Sequence, residues 1–435
     1  MIDIDLIRKD KALVVKNLGR RGITPEKIDG LIELDTHWRA AVQKLEEINQ
    51  LKNEANSRIA GASGETKEEI ISSMAAASVQ EKEFKMQEKD LQARREALWK
   101  SLPNLLMDDV PRGKDESENK VIKEVGEKPL FDFEPQPHEI LGENLGLIDI
   151  ERAAKVSGSR FAYLKGDLVF LEFALVHYVL SVLTSSEILA KIIKDNGLTV
   201  SDRAFIPILP PVLIKEEAME RMARLEPREE RYHMHEDNLY LVGSAEHTLG
   251  ALHMDEVLTE PQLPLRYIGF SPAFRREAGS YGKDTKGILR MHQFDKLEME
   301  SFSSPVNSLQ EQNLFVAIQE HLLASLGIPY RVVMVCAGDM GTPDARQIDL
   351  EAWMPGQNQY RETHTADLMT DYQARRLKTR IKTSQGKIEF AHMNDATALA
   401  CGRTIIAIME NYQQADGSIT MPEVLHPYLP FQKIK

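Results

Sequence analysis

The sequence predicts an α+β protein, with a mixed, mainly antiparallel sheet and flanking helices preceded by an antiparallel helical hairpin. Three observations carry that expectation. Residues from about 30 to 101 hold heptad-spaced apolar rows and almost no strand signal. Beyond them short β-type segments recur with helical stretches between only some, so the regular strand–helix alternation of a doubly wound sheet is missing. One segment, Phe274 to Glu298, alternates charged and aromatic residues around a glycine-broken loop, as a hairpin would.

Taken in order, the hairpin's outgoing leg carries Leu31, Trp38 and Leu45 beside Leu34, Ala41, Ile48 and Ala55, the a and d rows of a heptad. Its returning leg carries Ile70, Ala77, Phe84, Leu91 and Leu98, and Ala60-Gly-Ala-Ser-Gly64 reads as a flexible turn between them. Legs of about 30 residues would extend roughly 45 Å, with too little core to stand alone as a globule. A linker from Ser101-Leu-Pro-Asn104 through Asp108–Asn119 is rich in turn formers and charge, which places a domain boundary between residues 1–104 and 105–435. Asp167–Leu183 reads as an apolar helix started by an aspartate cap and buried in the core or at a subunit contact. Strands are expected over 205–209, 239–242, 265–270, 288–298, 330–335 and 349–354, and Leu399–Met409 opens a helix with Gly402 and Arg403 in its first turn.

Composition narrows the function classes. At 435 residues two domains are expected, and 42% hydrophobic with 28% charged residues is ordinary for a soluble globular chain. A net charge of −13 means that any nucleic-acid partner must be met by local basic patches. No run of about 18 apolar residues and no basic-then-apolar leader is present, so the expectation is a cytosolic protein with no membrane partner. Cys336 and Cys401 stand far apart, which excludes a zinc ribbon, argues against a disulfide framework and suggests two buried small hydrophobes.

The chemistry concentrates in Phe274–Glu298. If that stretch is extended, Arg290, Phe294 and Glu298 share one face, and a hairpin would add Arg275 and Glu277. A cation, a flat ring and a carboxylate together suit a nucleotide base, a phosphate and an ammonium group; the alternative is a solvated strand face. Familiar signatures fail nearby. Gly279–Asp284 is too short for a phosphate loop and has aspartate where a hydroxyl should bind magnesium, no dinucleotide glycine pattern or hydrolase elbow occurs, and His233-Met-His235-Glu236 lacks further ligands at a recognised spacing. Arg403 either caps a neighbouring carboxylate or reaches into a cleft. Glu351 and Glu362 flank a strand-turn, and carboxylates beside a phosphate site suggest Mg²⁺.

Together these segments resemble the bacterial-type seryl-tRNA synthetases, members of the class II aminoacyl-tRNA synthetases. The resemblance runs through the opening Met1–Asp10, the helical arm, Glu151–Phe161, Pro210-Pro211 as motif 1, Phe274–Glu298 as motif 2, Gly402-Arg403-Thr404 as motif 3, and the ending Glu410–Gly417 with Pro422–Leu425. It implies the class II fold, a homodimer through motif 1, and ligation of L-serine, activated by ATP, to the 3′-end ribose of tRNA(Ser) and also tRNA(Sec), with Mg²⁺ as cofactor and no DNA partner. The arm would hold the tRNA.

By that resemblance Arg275 and Arg403 are the catalytic arginines. Arg275, Arg276, Glu277, Phe294, Glu362, Thr363, His364, Thr365 and Arg403 would bind ATP, with Phe294 stacked on the base and Glu362 and Thr365 holding Mg²⁺. Ser244, Ala245, Glu246, Arg275, Arg290, Glu298 and Thr397 would bind serine. Several positions depart from the family pattern. Ser244-Ala-Glu246 stands for Thr-x-Glu, Thr363-His-Thr-Ala-Asp367 for the run with Ser-Ser-Cys, Asp395-Ala-Thr397 for Asn-Gly-Ser, and Met222–Arg228 lacks the Gly-Gln element. Pocket changes of this kind can alter selectivity greatly. A same-fold ligase with another amino acid or a carrier-protein acceptor, and an inactive RNA-binding paralogue, are the alternatives.

Overall fold

The computed structural model describes residues 1–59, 61, 63–278 and 286–435. They divide into two compact units, Met1–Leu105 and Leu106–Lys435. The phosphate-loop candidate Gly279–Asp284 and most of its surrounding loop lie outside the described residues, as do two positions of the expected turn at 60–64.

In the first unit, two short helices, Ile4–Lys9 and Lys11–Leu18, precede the long α1 (Pro25–Ile59) and α2 (Glu65–Lys100), which pack on each other. Pro25 suits the first helical position, where its missing N–H costs nothing. Every residue of the three apolar rows is buried or half-buried, so the heptad spacing is what sets the two helices together. Asp35 interrupts the apolar seam and is only 3% exposed. It is held by Arg8 Nε at 2.8 Å and Arg95 Nε at 2.7 Å, and the Arg95 guanidinium lies over the rings of Trp38 (4.6 Å) and Trp99 (4.9 Å).

The second unit is built on an eight-stranded sheet. In chain order its strands are β1 (Lys120–Val125), β2 (Ile206–Ile208), β3 (Leu265–Phe274), β4 (Gln293–Ser303), β5 (Tyr330–Met334), β6 (Arg346–Met354), β7 (Gln359–Thr370) and β8 (His392–Ala400). Their spatial order is β1-β5-β6-β7-β8-β4-β3-β2, antiparallel throughout except for the parallel edge pair β2–β3. The helices that matter for the core and the site are α3 (Asp167–Leu183), α4 (Glu216–Arg221), α5 (Glu246–Leu249), α6 (Ser308–Ser325) and α7 (Cys401–Asn411).

Strand alternation divides the labour. Leu297 and Met299 of β4, Leu350 of β6, Ala366 of β7 and Ala396 and Ala398 of β8 join one apolar core with Leu171 and Leu175 of α3, Leu314 and Ile318 of α6 and Ile405 and Ile408 of α7. Each large aliphatic side chain there contributes about 1.5–3 kcal/mol by leaving water. The intervening residues, Glu298, Glu300, Thr365, Asp367, Asp395 and Thr397, must then face the other side of the sheet. Both cysteines are free and buried.

Two local expectations need correction. The strand expected over 288–298 starts later, at Gln293, and runs to Ser303. Arg290 therefore precedes the strand, and Arg275 and Glu277 lie past the end of β3, with Glu277 in the left-handed region at φ 51°. Asp167 is not a cap: Gly166 occupies that position with no side-chain bond, and Asp167 is the first helical residue.

Candidate active site

The β3–β4 hairpin pairs Phe274 with Gln293, and just beyond that rung Arg275 and His292 close it by an N–H to carbonyl bond of 3.0 Å and a 2.9 Å contact from the His292 ring to the Arg275 carbonyl. This lock fixes Arg275 in the lining of a cleft. Arg275 Nε donates to the Gly243 carbonyl at 3.0 Å, and its guanidinium lies 5.3 Å from the centre of the Phe294 ring. Ile288, Leu289 and Met291 supply an apolar wall, and Arg290 faces Glu277 across 3.4 Å.

The opposite side of the cleft comes from β7 and the start of α7. Arg403 Nη1 donates to the Glu362 carbonyl at 2.7 Å and lies 3.1 Å from its carboxylate, whose side chain is 51% exposed in the cleft. Desolvation raises the Glu362 pKa, but Arg403, Lys296 and Arg275 outweigh it and hold the carboxyl below its ordinary value. A register shift at Leu350/Glu351 puts Glu362, Thr363 and Thr365 on the cleft together. Thr365 Oγ1 accepts from Gln347 Nε2 at 3.2 Å.

The floor is a polar row across β4 and β8. Glu298 is 1% exposed and opposite Thr397, whose hydroxyl donates to Glu298 Oε1 at 3.3 Å. Ser244 Oγ donates to the same oxygen at 2.9 Å, and Lys296 forms an ion pair with Glu298. Burial pushes the Glu298 carboxyl up, while Lys296 and Ser244 pull it back. Glu246, at the start of α5, lies 3.6 Å from Arg224.

The structure thus gathers Arg275, Glu277, Arg290, Phe294, Glu362, Thr363, Thr365, Thr397 and Arg403 around one cleft, with Ser244 and Glu298 joined to its floor. Four other expected residues lie off the cleft lining, Glu246 beside Arg224 among them. Arg276 lies over the Tyr232 ring at 5.8 Å, away from the cleft lining. His364 is 1% exposed, contacts Thr363 Oγ1 at 2.8 Å and is held neutral by burial, its pKa pushed down to about 4. Ala245 is fully buried in an apolar cluster with Leu249 and Tyr267. Glu351, which suggested a metal, is paired with Arg331. His233 and His235 pack edge to face at 4.2 Å, with His233 stacked on Tyr240. Among the described residues, no group of three or more His, Cys, Asp or Glu is arranged to hold a metal by itself.

Two site residues escaped sequence reasoning. Lys296 lies on the Phe294–Glu298 row by simple alternation, a signal that could have found it. Arg224 lies in the segment where the family pattern lapses, and nothing local marked it.

Comparison with known proteins settles the family. The seryl-tRNA synthetase N-terminal domain matches residues 1–106, and the class II core domain of the G, H, P, S and T synthetases matches residues 229–412. A serine–tRNA ligase of Fervidobacterium nodosum is 38% identical over 441 residues, covering 100% of this chain and 99% of that protein. The chain belongs to the seryl-tRNA synthetases. A second family member, from Acidothermus cellulolyticus, is 41% identical over 431 residues, covering 99% of this chain and 98% of its own. The crystal structure of the Pyrococcus horikoshii seryl-tRNA synthetase complexed with ATP superposes with a TM-score of 0.89 at 34% identity, covering 100% of this chain and 99% of that one. The family's fold, a mostly antiparallel class II sheet with a helical N-terminal arm, is the one described above. Among the described residues, no single helix is long and apolar enough to cross a membrane.

Proposed function

We propose that this chain activates L-serine with ATP and transfers the seryl group to the 3′-end ribose of tRNA(Ser). One observation carries the reading: Glu298, buried with Ser244, is bonded to Thr397 and paired with Lys296, and those two residues line the same cleft as Arg275, Phe294 and Arg403. A carboxylate and hydroxyls suited to an amino acid thus adjoin a ring and guanidinium groups suited to a nucleotide.

In the first step an oxygen of the serine carboxylate bonds to the α-phosphorus of ATP, the bond from that phosphorus to the bridging oxygen breaks, and pyrophosphate leaves. The nucleophile is already ionised at neutral pH, so no general base is required; alignment and charge stabilisation are. Arg275 bridges the serine carboxylate and the α-phosphate, Phe294 stacks on adenine, Glu277 meets the base edge, and Arg403 meets the terminal phosphates. Glu298, Ser244 and Thr397 hold the serine ammonium and hydroxyl. In the second step the oxygen of a tRNA ribose hydroxyl bonds to the seryl carbonyl carbon, the bond from that carbon to the phosphate oxygen of AMP breaks, and AMP departs with the bonding electrons while its phosphate takes up the hydroxyl proton.

Glu362 and Thr365 are suited to Mg²⁺: one ionised carboxylate and one hydroxyl on the cleft leave room for the water and phosphate oxygens that this ion prefers. When bound, Mg²⁺ would neutralise phosphate charge. The unit Met1–Leu105, with its helical arm, would hold the tRNA through backbone and shape contacts, which tolerate the acidic overall charge. The same reading extends to charging of tRNA(Sec), to a cytoplasmic location with no DNA or membrane partner, and to a homodimer joined near Pro210-Pro211, where Ile206 (49%) and Leu209 (80%) expose apolar surface.

The test is ATP–pyrophosphate exchange with a panel of amino acids, followed by charging of tRNA(Ser). Serine-dependent exchange and seryl-tRNA formation are expected. Exchange with a different amino acid and none with serine would overturn the reading.

A further inference from the structure

Beyond the Glu298–Thr397 row lies a second row of carboxyl groups. Two residues further along each strand, Glu300 stands opposite Asp395, and Asp395 stands opposite Asp367. The spacing of roughly 7 Å for two strand residues makes this row the continuation of the amino-acid pocket on the same face of the sheet. All three residues are buried, Glu300 completely, and among the described residues neither carboxyl oxygen of Glu300 has a hydrogen-bond partner. A buried carboxyl in that condition is costly unless it meets a proton or a cation.

One cation reaches the row from outside the sheet. Arg224, carried on the turn after α4, donates from Nη2 to Asp395 at 2.9 Å and lies 3.8 Å from Asp367 and 3.9 Å from Asp344. Its Nε has no hydrogen-bond partner among the described residues and lies 3.6 Å from Glu246, the residue two after Ser244. The arginine therefore links the second row to the predicted serine-binding residues. A single guanidinium cannot match all these carboxyls. Burial and the neighbouring acids accordingly push Asp395 up to about 7 even with Arg224 beside it.

We propose that Arg224 sets the specificity of the amino-acid pocket, filling an acidic extension beyond Glu298 and Thr397 that would otherwise accept a side chain ending in an ammonium group. While Arg224 is in place, side chains longer than serine's are shut out, because the space is occupied and its negative charge already engaged. Without Arg224, the row Glu300–Asp395–Asp367 presents uncompensated carboxyls that an ammonium satisfies and a hydrocarbon does not. The inference rests on the serine reading of the site.

The test is ATP–pyrophosphate exchange by the full-length chain and its Arg224→Ala and Arg224→Gln variants. The substrates are L-serine, L-threonine, L-2,4-diaminobutyrate, and L-norvaline as the uncharged match in length. The variants should raise kcat/KM for diaminobutyrate relative to serine by roughly tenfold or more, with norvaline still excluded. Adding Asp395→Asn to Arg224→Ala should reverse most of that gain. An unchanged ratio in a folded variant overturns the proposal, as does an equal gain for norvaline, which would mean only a hole had been made. Should Arg224→Ala fail to fold, Arg224→Gln carries the same test, since glutamine is shorter than arginine and uncharged, so that it frees the end of the extension and leaves the carboxyls unmatched. Loss of serine exchange in the unaltered chain would instead overturn the reading of the site itself.

Discussion

Arg403 grips Glu362 twice, donating to its main-chain carbonyl at 2.7 Å while lying 3.1 Å from its carboxylate. The first bond ties the start of α7 to β7; the second leaves the guanidinium poised over the cleft. Arg403→Ala should therefore weaken ATP use far more than serine use. We expect kcat/KM for ATP in the exchange reaction to fall by roughly 10²–10³, with a thermal midpoint close to that of the parent chain. A variant that loses stability and activity in parallel would assign Arg403 a structural role instead.

Glu298→Gln keeps the shape of the pocket floor but removes the charge that Lys296, Ser244 and Thr397 surround. Serine's ammonium then loses its partner, while buried Lys296 loses its ion pair and keeps only the longer-range pull of Glu246 and Glu362. The expected result is a serine KM raised roughly a hundredfold with a much smaller change in the ATP KM. Equal effects on both substrates would count against an ammonium contact at Glu298.

In the N-terminal unit, Asp35 joins three elements through Arg8 and Arg95. Asp35→Ala leaves Arg95, 8% exposed at its side chain, without its carboxylate. Breaking a buried pair in this way costs about 3–5 kcal/mol, to be read as a lower denaturation midpoint of that unit in urea. A loss below about 1 kcal/mol would show that the pair's desolvation nearly cancels its attraction.

His247 predicts a pH dependence. Burial, reinforced by Arg231, Arg224 and Arg275 against the pull of Glu246, drives its pKa from 6.5 down to about 3, and its neutral ring accepts the Gly243 N–H at 3.1 Å. The folded pKa lies below the unfolded one. The stability this neutral histidine confers is therefore complete above pH 6.5 and is lost as pH falls toward about 3. The loss approaches about 1.4 kcal/mol per pH unit within that window. His247→Gln should flatten the decline in chemical-denaturation series between pH 6 and 4 by about that slope; an unchanged curve would exclude His247 as its source.

Much of this protein could be read from one dimension. The heptad rows of α1 and α2 and the apolar length of α3 are local periodicities, and burial follows them directly. The motif 2 residues were legible because a hairpin brings near neighbours in sequence together: Arg275, Phe294 and Glu298 lie within a few rungs of β3 and β4. Even there, local spacing misled for Arg290, since nothing in the alternation shows that the strand begins only at Gln293. The side chains of His364 and Ala245 are buried off the cleft lining for a related reason: one bulged residue in β7 and one helical turn decide which side chain faces the cleft and which the core.

The sequence by itself determined the family, the two-part organisation of elements and the identity of the groups that suit ATP and serine. Only the tertiary structure decided how their charges are balanced. Arg224 and Asp395 are separated by 171 positions and meet at 2.9 Å because a turn after α4 is carried over β8, and no local pattern encodes that encounter. Electrostatic pairing depends on distance and burial rather than on sequence spacing. The charge balance behind Glu298 and Thr397 therefore became visible only in three dimensions.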